Sequence, residues 1–335
     1  MCTNFKVPRA QDGSVVVGRN LEFPSVMQTS LAVLPVDFRG SFARPDGTDS
    51  GTGWTARHGV VGMCGFGHPS VVMDGMNTAG LSGHVLYMPH YCQYQPYRGD
   101  GTDVAETELC AWLLGTCATT EEVGRALEGK NVWGLDPGMG LVPPCHFLFH
   151  DEHSSVALEF HPDGWRLLDN PTSVATNAPY LDWHLTNLKN YVGLSPVAPA
   201  TPHPDGIDLT PFGLGQGLMG LPGGLTPPAR FIRAYALTSM ANPPENGREA
   251  EQFALHVLNS FDTVGGFMGR VFGEAHSVHD ATVWDTIANL TGRRYAYRTM
   301  GDPTVYVVDL DTTDFTGPAR RNHLSWDGDF TAITV

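Results

Sequence analysis

The sequence opens with Met-Cys-Thr, and Cys2 is the first residue able to do covalent chemistry. Residues next to a terminus have few neighbours to bury them, so position 2 is an odd place for a structural thiol. Removal of Met1, which a small second residue favours, would leave a thiol and a free α-amine on one residue. Their ordinary pKa values are about 8.5 and about 7.7–8.0. The amine, partly neutral near pH 7, can take the thiol proton directly or through a water, as in N-terminal threonine enzymes. The plainer reading is an incidental second residue. The six cysteines, Cys2, Cys64, Cys92, Cys110, Cys117 and Cys145, are irregularly spaced, with no Cys-x-x-Cys. Buried free thiols are expected, not a disulfide framework.

Two charged residues fall within reach of Cys2. The segment 3–23 reads as two extended stretches around Asp12-Gly13, and its end, "GRNLEF", carries Arg19 and Glu22. Pairing about that turn brings position 2 near 22 or 23. A carboxylate there can hold the terminal amine, and a guanidinium lowers a thiol pKa. Each also reads as an ordinary ion pair. His146, His150 and His153, close to Cys145, form a weaker candidate metal cluster. Positions 146 and 150 share a strand face, but 153 falls in a turn. Gly215-x-Gly217-x-x-Gly220 matches a dinucleotide fingerprint only in letters: it follows Thr-Pro-Phe and opens no helix.

The elements that must place these residues come in blocks. Strands are expected over 30–38, 59–66 and 80–88, with "RPDGTDSGTG" between the first two as a flexible loop. Two helices follow, the second capped by Thr119 with Glu122. A meander of short strands runs from 145 to 177, then a helix over 180–192. The stretch 195–225 is too rich in Pro and Gly for a regular element and too apolar for a solvated linker. It reads as an ordered loop that packs on something, with another subunit as one candidate. Thr226-Pro227 opens a helix reaching about Met240, another helix begins near Arg248, and strands close the chain. Blocks of strands and helices, without βαβ alternation, argue for an α+β fold of stacked antiparallel sheets with helices outside.

Composition excludes several functions. The chain has 335 residues, 41% hydrophobic and 16% charged, which is globular and not disordered. Lys+Arg 20 against Asp+Glu 35 gives a formal charge of -15, which repels nucleic acid and anionic lipid. No apolar run is long enough to span a membrane, and no apolar leader segment is visible, so a cytoplasmic location is expected.

The motifs "MCT", "GRNLEF", "DGMNTAGL", "TNAPYLDWHLTNLKNYVGL", "LTPFGLGQG" and "GLPGGLTPPARFIR", in this order along nearly the whole chain, resemble the choloylglycine hydrolase family. This family comprises bile salt hydrolases, penicillin V acylases and related acyl-amide hydrolases. The resemblance implies an N-terminal-nucleophile hydrolase, a four-layer αββα sandwich over 1–335, acting on a small-molecule acyl amide without a cofactor. It places the nucleophile at Cys2, the second-strand arginine at Arg19, an oxyanion-hole asparagine at Asn177 and the helix arginine at Arg230. The family's aspartate falls on Glu22, a departure that keeps the charge and adds a methylene. The remaining oxyanion donor would be the backbone N–H of Tyr87. Many bile salt hydrolases carry asparagine at that position, and Tyr87 resembles the penicillin V acylases, so a penicillin V acylase-like preference is expected. Bile salts and N-acyl homoserine lactones are the alternatives within the family. Outside it stand a metal-dependent hydrolase on the three histidines and a non-catalytic binding protein. Loops at Phe23 to Met27, around Cys64 to Phe66 and at 134–144 would line the acyl pocket, and 195–225 would drive assembly into a tetramer.

Overall fold

The computed structural model describes residues 1–272 and 276–329; the last residues of the 1–335 span lie outside them. Its first strands are β1 (Cys2–Lys6), β2 (Val16–Phe23), β3 (Ser30–Leu34), β4 (Arg39–Ala43), β5 (Asp49–Thr55), β6 (Val60–Cys64), β7 (Val72–Asn77), β8 (Ser82–Tyr87) and β9 (Asp103–Ala105). Helices α1 (Glu106–Thr116) and α2 (Thr120–Leu127) follow. Next come β10 (Asn131–Trp133), β11 (Cys145–His150), β12 (Ser155–His161), β13 (Gly164–Asp169) and β14 (Val174–Ala175). Helices α3 (Leu181–Leu188), α4 (Pro227–Ser239) and α5 (Gly247–Asn259) precede β15 (Met268–Phe272), β16 (His276–Asn289), β17 (Arg294–Thr299), β18 (Tyr306–Asp309) and β19 (Arg320–Asn322).

Two antiparallel sheets carry the architecture. One runs β14-β1-β2-β16-β17-β18 and the other β13-β12-β11-β8-β7-β6-β3-β19. Helix α1 packs on β7 and β8 of the second sheet, while α4 packs on β1 and α5 on β2 and β16 of the first. The layers are therefore helix, sheet, sheet, helix, the expected αββα sandwich. Strands such as β2 and β7 are buried along almost their whole length, because both faces of each sheet are covered. That is why neither shows a clean alternation of apolar and polar residues. One apolar cluster, with Phe5, Met63, Met76, Leu148 and Trp284, fills the space between the sheets and extends under α4 and α5. The other, with Leu81, Leu109, Leu113 and Phe149, lies under α1.

Several expectations are corrected. Cys2 sits opposite Leu21, not 22 or 23. The turn closes earlier because the Gly13 N–H donates to the Ala10 carbonyl at 2.9 Å, with Gly13 at φ +90, a conformation glycine adopts at little cost. In this register Arg19 pairs with Asn4, so by alternation Cys2 and Arg19 share one face of the sheet. Glu22 falls on the other face. The stretch 30–38 is strand only to Leu34, and half of the expected loop "RPDGTDSGTG" is strand β5, paired with β4. Strands β7, β15 and β19 were not anticipated. The loop 195–225 holds only two short 3-10 turns and leaves Phe212, Leu214 and Met219 exposed. Among the described residues no helix is long and apolar enough to cross a membrane.

Asp74, on β7, ties the two sheets together. It is fully buried. Across the interface it faces Arg19 Nε at 3.8 Å and accepts from the Tyr295 hydroxyl at 2.5 Å; within its own sheet it accepts from His84 Nδ1 at 2.5 Å. Burial alone would raise this carboxyl, but His84, Arg19 and Tyr295 outweigh it and hold it below the ordinary range. Removing one member of a buried pair costs about 3–5 kcal/mol, because the partner charge stays buried. Asp74→Ala is therefore expected to lower the unfolding free energy obtained from urea titration by that amount. Since the folded-state pKa is depressed, the stability Asp74 contributes is full above about pH 4 and is lost as acid protonates it. The gap between wild type and variant in urea titrations should close on acidification; a gap constant with pH would contradict this.

Candidate active site

The site forms where β1, β2, β8 and the residues after β14 converge. Cys2 is 1% exposed. Its Sγ lies 3.5 Å from Arg19 Nη2, which also donates to the Val85 carbonyl at 2.6 Å. The Arg19 guanidinium stacks 4.3 Å from the Trp284 ring centroid, a cation–π contact that partly replaces lost hydration. Arg19 Nε and Nη1 make no hydrogen bond. The thiol thus meets a buried cation whose Nε faces Asp74 at ion-pair distance.

Asn177 follows β14 and precedes a cis peptide bond, Ala178–Pro179. Its backbone carbonyl accepts from His184 Nε2 at 2.9 Å. Its side-chain Oδ1 accepts from the Cys2 N–H at 3.1 Å and from Arg230 Nη2, and its Nδ2 donates to the Tyr87 carbonyl at 2.6 Å. An amide nitrogen carries two hydrogens, so one Nδ2–H is left beside Tyr87 and the Cys2 backbone.

Arg230, on α4, is spent on structure. It donates to the Leu225 carbonyl at 3.0 Å, the Thr3 hydroxyl at 2.8 Å, the Cys2 carbonyl and Asn177. Burial lowers its pKa, and Glu22 and Cys2 oppose that. These bonds make it a clamp that fixes Cys2 against Asn177. Glu22 is fully buried beside it; Oε1 accepts from Asn20 Nδ2, while Oε2 makes no hydrogen bond. Burial raises the Glu22 carboxyl, against the terminal ammonium, Arg230 and Arg19. With Met1 in place, the terminal ammonium donates to the Glu22 carbonyl at 2.5 Å and lies 3.6 Å from Asp280. The Glu22 backbone carbonyl is thus the acceptor for the Met1 ammonium.

Two cavities meet at Tyr87. The first, about 370 Å³, has Cys2 and Arg19 at one end and is walled by apolar side chains such as Phe23, Met27, Phe66 and Leu141. These come from the three loops expected to line an acyl pocket. Its β-strand wall, with Met73, Val85 and Phe147, and its contribution from Glu106 were not anticipated. The second cavity, about 640 Å³, holds Met1 with Asn177, Pro227 and Asp280. A linear group with its reacting carbon at Cys2 would place its two halves in these two spaces.

The histidine cluster dissolves. His150 binds Asn4 and Ser155 through its two ring nitrogens, His146 Nε2 donates to the Thr176 carbonyl, and His153 is exposed in its turn. Among the described residues no group of three potential ligands could hold a metal ion. The cysteines other than Cys2 are all raised by burial, Cys92 to about 12 and Cys117 to about 11. Sequence reading missed Asp74, although it opens the quoted motif "DGMNTAGL", and Asn20 inside "GRNLEF", whose Oδ1 accepts from Thr3 N–H at 2.8 Å.

The comparisons with known proteins agree with this geometry. Residues 2–324 match the family of linear amide C-N hydrolases, choloylglycine hydrolase family. The bile salt hydrolase/transferase of Lactiplantibacillus plantarum is 27% identical over 92% of this chain and 94% of its own length. That of Clostridium perfringens is 28% identical over 95% and 94%. Among solved structures, a mutant conjugated bile acid hydrolase from Clostridium perfringens superposes with a TM-score of 0.87 at 25% identity, covering 100% of both chains. The penicillin V acylase from Agrobacterium tumefaciens gives 0.75 at 22% identity over 96% and 90%, a likeness of fold alone. With most of its length matched and its layers shared, the chain belongs to the choloylglycine hydrolase family and is a hydrolase of linear amide carbon–nitrogen bonds.

Proposed function

We propose that Cys2, freed by removal of Met1, is the nucleophile of this hydrolase, and that its preferred substrates are amides of a large apolar acid, of the conjugated bile acid kind. The observation that carries the reading is the convergence of Arg19 and Asn177 on Cys2 at the end of an apolar cavity. The free α-amine takes the thiol proton; Glu22 and Asp280, which lie near the present terminus, would hold that amine. The sulfur attacks the amide carbon. The second Nδ2–H of Asn177 and the Tyr87 N–H stabilise the oxyanion. Collapse expels the amine, protonated by the α-ammonium, and leaves a thioester. Water then releases the acid. Arg19 favours the thiolate, and Arg230 holds Cys2 and Asn177 in register.

A second reading has one observation behind it. Tyr87 borders both cavities and could stack on an aryl acyl group such as that of penicillin V, worth about 0.5–1.5 kcal/mol beyond area burial. That tilts selectivity by about tenfold at most, and the cavity it borders is walled by aliphatic and aromatic side chains alike. In the loop 195–225, Phe212 and Leu214 are fully exposed; we propose it as the surface for self-assembly to a tetramer, which sedimentation velocity on the purified chain tests.

Intact mass of active protein should lack Met1, and iodoacetamide should label one fast thiol with loss of activity, since burial raises the other five. Full activity with Met1 retained would sink the mechanism. Cys2→Ala should abolish turnover in a folded protein. Asn177→Ala should lower kcat about a hundredfold or more with a smaller change in KM, since the oxyanion exists only in the transition state; an effect confined to KM would make Asn177 a binding residue. In competition assays glycocholate should be hydrolysed with higher kcat/KM than penicillin V, and the reverse order would favour the aryl reading.

A further inference from the structure

Glu106 opens α1 and lines the acyl cavity beside Thr107, Cys145 and Phe147. It is 3% exposed. Its two carboxyl oxygens are used unequally. Oε2 accepts from the Leu135 N–H at 2.6 Å, while Oε1 is buried with no hydrogen-bond partner. A buried polar atom left unpaired is costly, and such atoms in a native fold call for an explanation. Packing supplies none here, because the Leu135 N–H needs only one acceptor. Most of the wall is apolar, with Thr107 beside Glu106 and Arg19, Glu22, Ser25 and Tyr87 as the other polar lining residues, so Oε1 is one of a few polar points in a largely apolar space, the arrangement by which ligand pockets fix orientation and specificity.

We propose that Glu106 determines acyl-group specificity: its unpartnered Oε1 hydrogen-bonds an oxygen function on the acyl chain, away from the scissile carbonyl, so that acyl groups bearing a ketone or hydroxyl are preferred over plain hydrocarbon ones. The inference rests on the amide-hydrolase reading above. Burial pushes the Glu106 carboxyl up to about 8, against the Leu135 N–H and the amides of the helix start. The titratable groups around it are Glu108 on its own helix and the side chains of Cys92, Tyr94 and Cys145; none is a cation. Of the other charged groups lining the cavity, Arg19 is turned to Cys2 and the Val85 carbonyl, and Glu22 lies beside Arg230. Glu106 is therefore mostly neutral at pH 7. With Oε2 accepting from Leu135, the proton resides on Oε1, a donor that has no acceptor within the fold.

The test uses the mature enzyme and one aromatic amine, acylated with decanoate or with a positional series of oxodecanoates, and reads the ratio of kcat/KM values. At pH 6.5 at least one oxo isomer should exceed decanoate by about tenfold, the size expected of one net hydrogen bond. The ratio should fall as pH rises through about 8, because the ionised carboxyl cannot donate to a ketone. Glu106→Leu should abolish the preference. Glu106→Gln, which keeps both an acceptor for Leu135 and a donor, should keep the preference and lose its pH dependence. That variant decides the matter should Glu106→Leu not fold. Equal ratios in wild type and variants, with both amides hydrolysed, would overturn the inference and leave the amide-hydrolase reading intact. Turnover of neither amide by enzyme that lacks Met1 would count against both.

Discussion

The placement of one carboxylate, Asp74, governs the rest of the molecule. It receives Arg19 and Tyr295 from one sheet and His84 from the other. A buried guanidinium is expensive unless paired, and pairing alone seldom makes such a bridge a net gain over apolar packing. What the pair does supply is geometry. Arg19 must lie between the sheets to reach Asp74, and from there its Nη2 reaches Cys2 Sγ and the Val85 carbonyl. The first sheet thus carries the thiol, the second carries Val85 and Tyr87, and the tie between them sets the width of the acyl cavity. Removing the tie would loosen stability and site together, since both depend on the same separation.

Much of the site was legible because it follows chain order. Cys2, Arg19 and Glu22 lie on one hairpin, so an approximate turn was enough to bring them together even with the register misjudged. Asn177 and Arg230 could be named only through resemblance: their distance from Cys2 along the chain exceeds what turn chemistry or periodicity can bridge. Asp74 was hidden for another reason. In "VVMDGMN" it sits within a strand buried on both faces, where nothing in the pattern separates a structural carboxylate from a turn residue before glycine. Glu106 gave no signal, since acidic residues are common in the first turn of a helix; only the fold shows that this first turn lines a cavity.

The acidity of the chain gives these internal charges their context. A net charge of -15 would disfavour a thiolate by long-range repulsion, yet screening over about 8–10 Å leaves the outcome to nearby groups. Nearest are Arg19 at the sulfur and Arg230 at the Cys2 carbonyl, both buried where the effective dielectric is low. Glu22 and Asp280 oppose them on the amine side. In the proposed mechanism positive charge thus sits at the atom that would become nucleophilic, and negative charge near the place where an ammonium would form.

Asn177 joins these two sides, and its orientation follows from its partners. An amide oxygen and nitrogen are interchangeable in shape, so an asparagine is assigned by its hydrogen bonds. Here one end meets two donors, the Cys2 N–H and the Arg230 guanidinium, and the other meets an acceptor, the Tyr87 carbonyl. A flip would set hydrogens against hydrogens at the first end and two oxygens against each other at the second. The NH₂ group is therefore locked toward Tyr87 before any substrate arrives. In the proposed mechanism such a donor would need no reorganisation when charge develops on the substrate oxygen, which is the condition under which electrostatic stabilisation contributes most to rate. Arg230 acts through this lock: by fixing the oxygen end of Asn177 it fixes where the remaining N–H points.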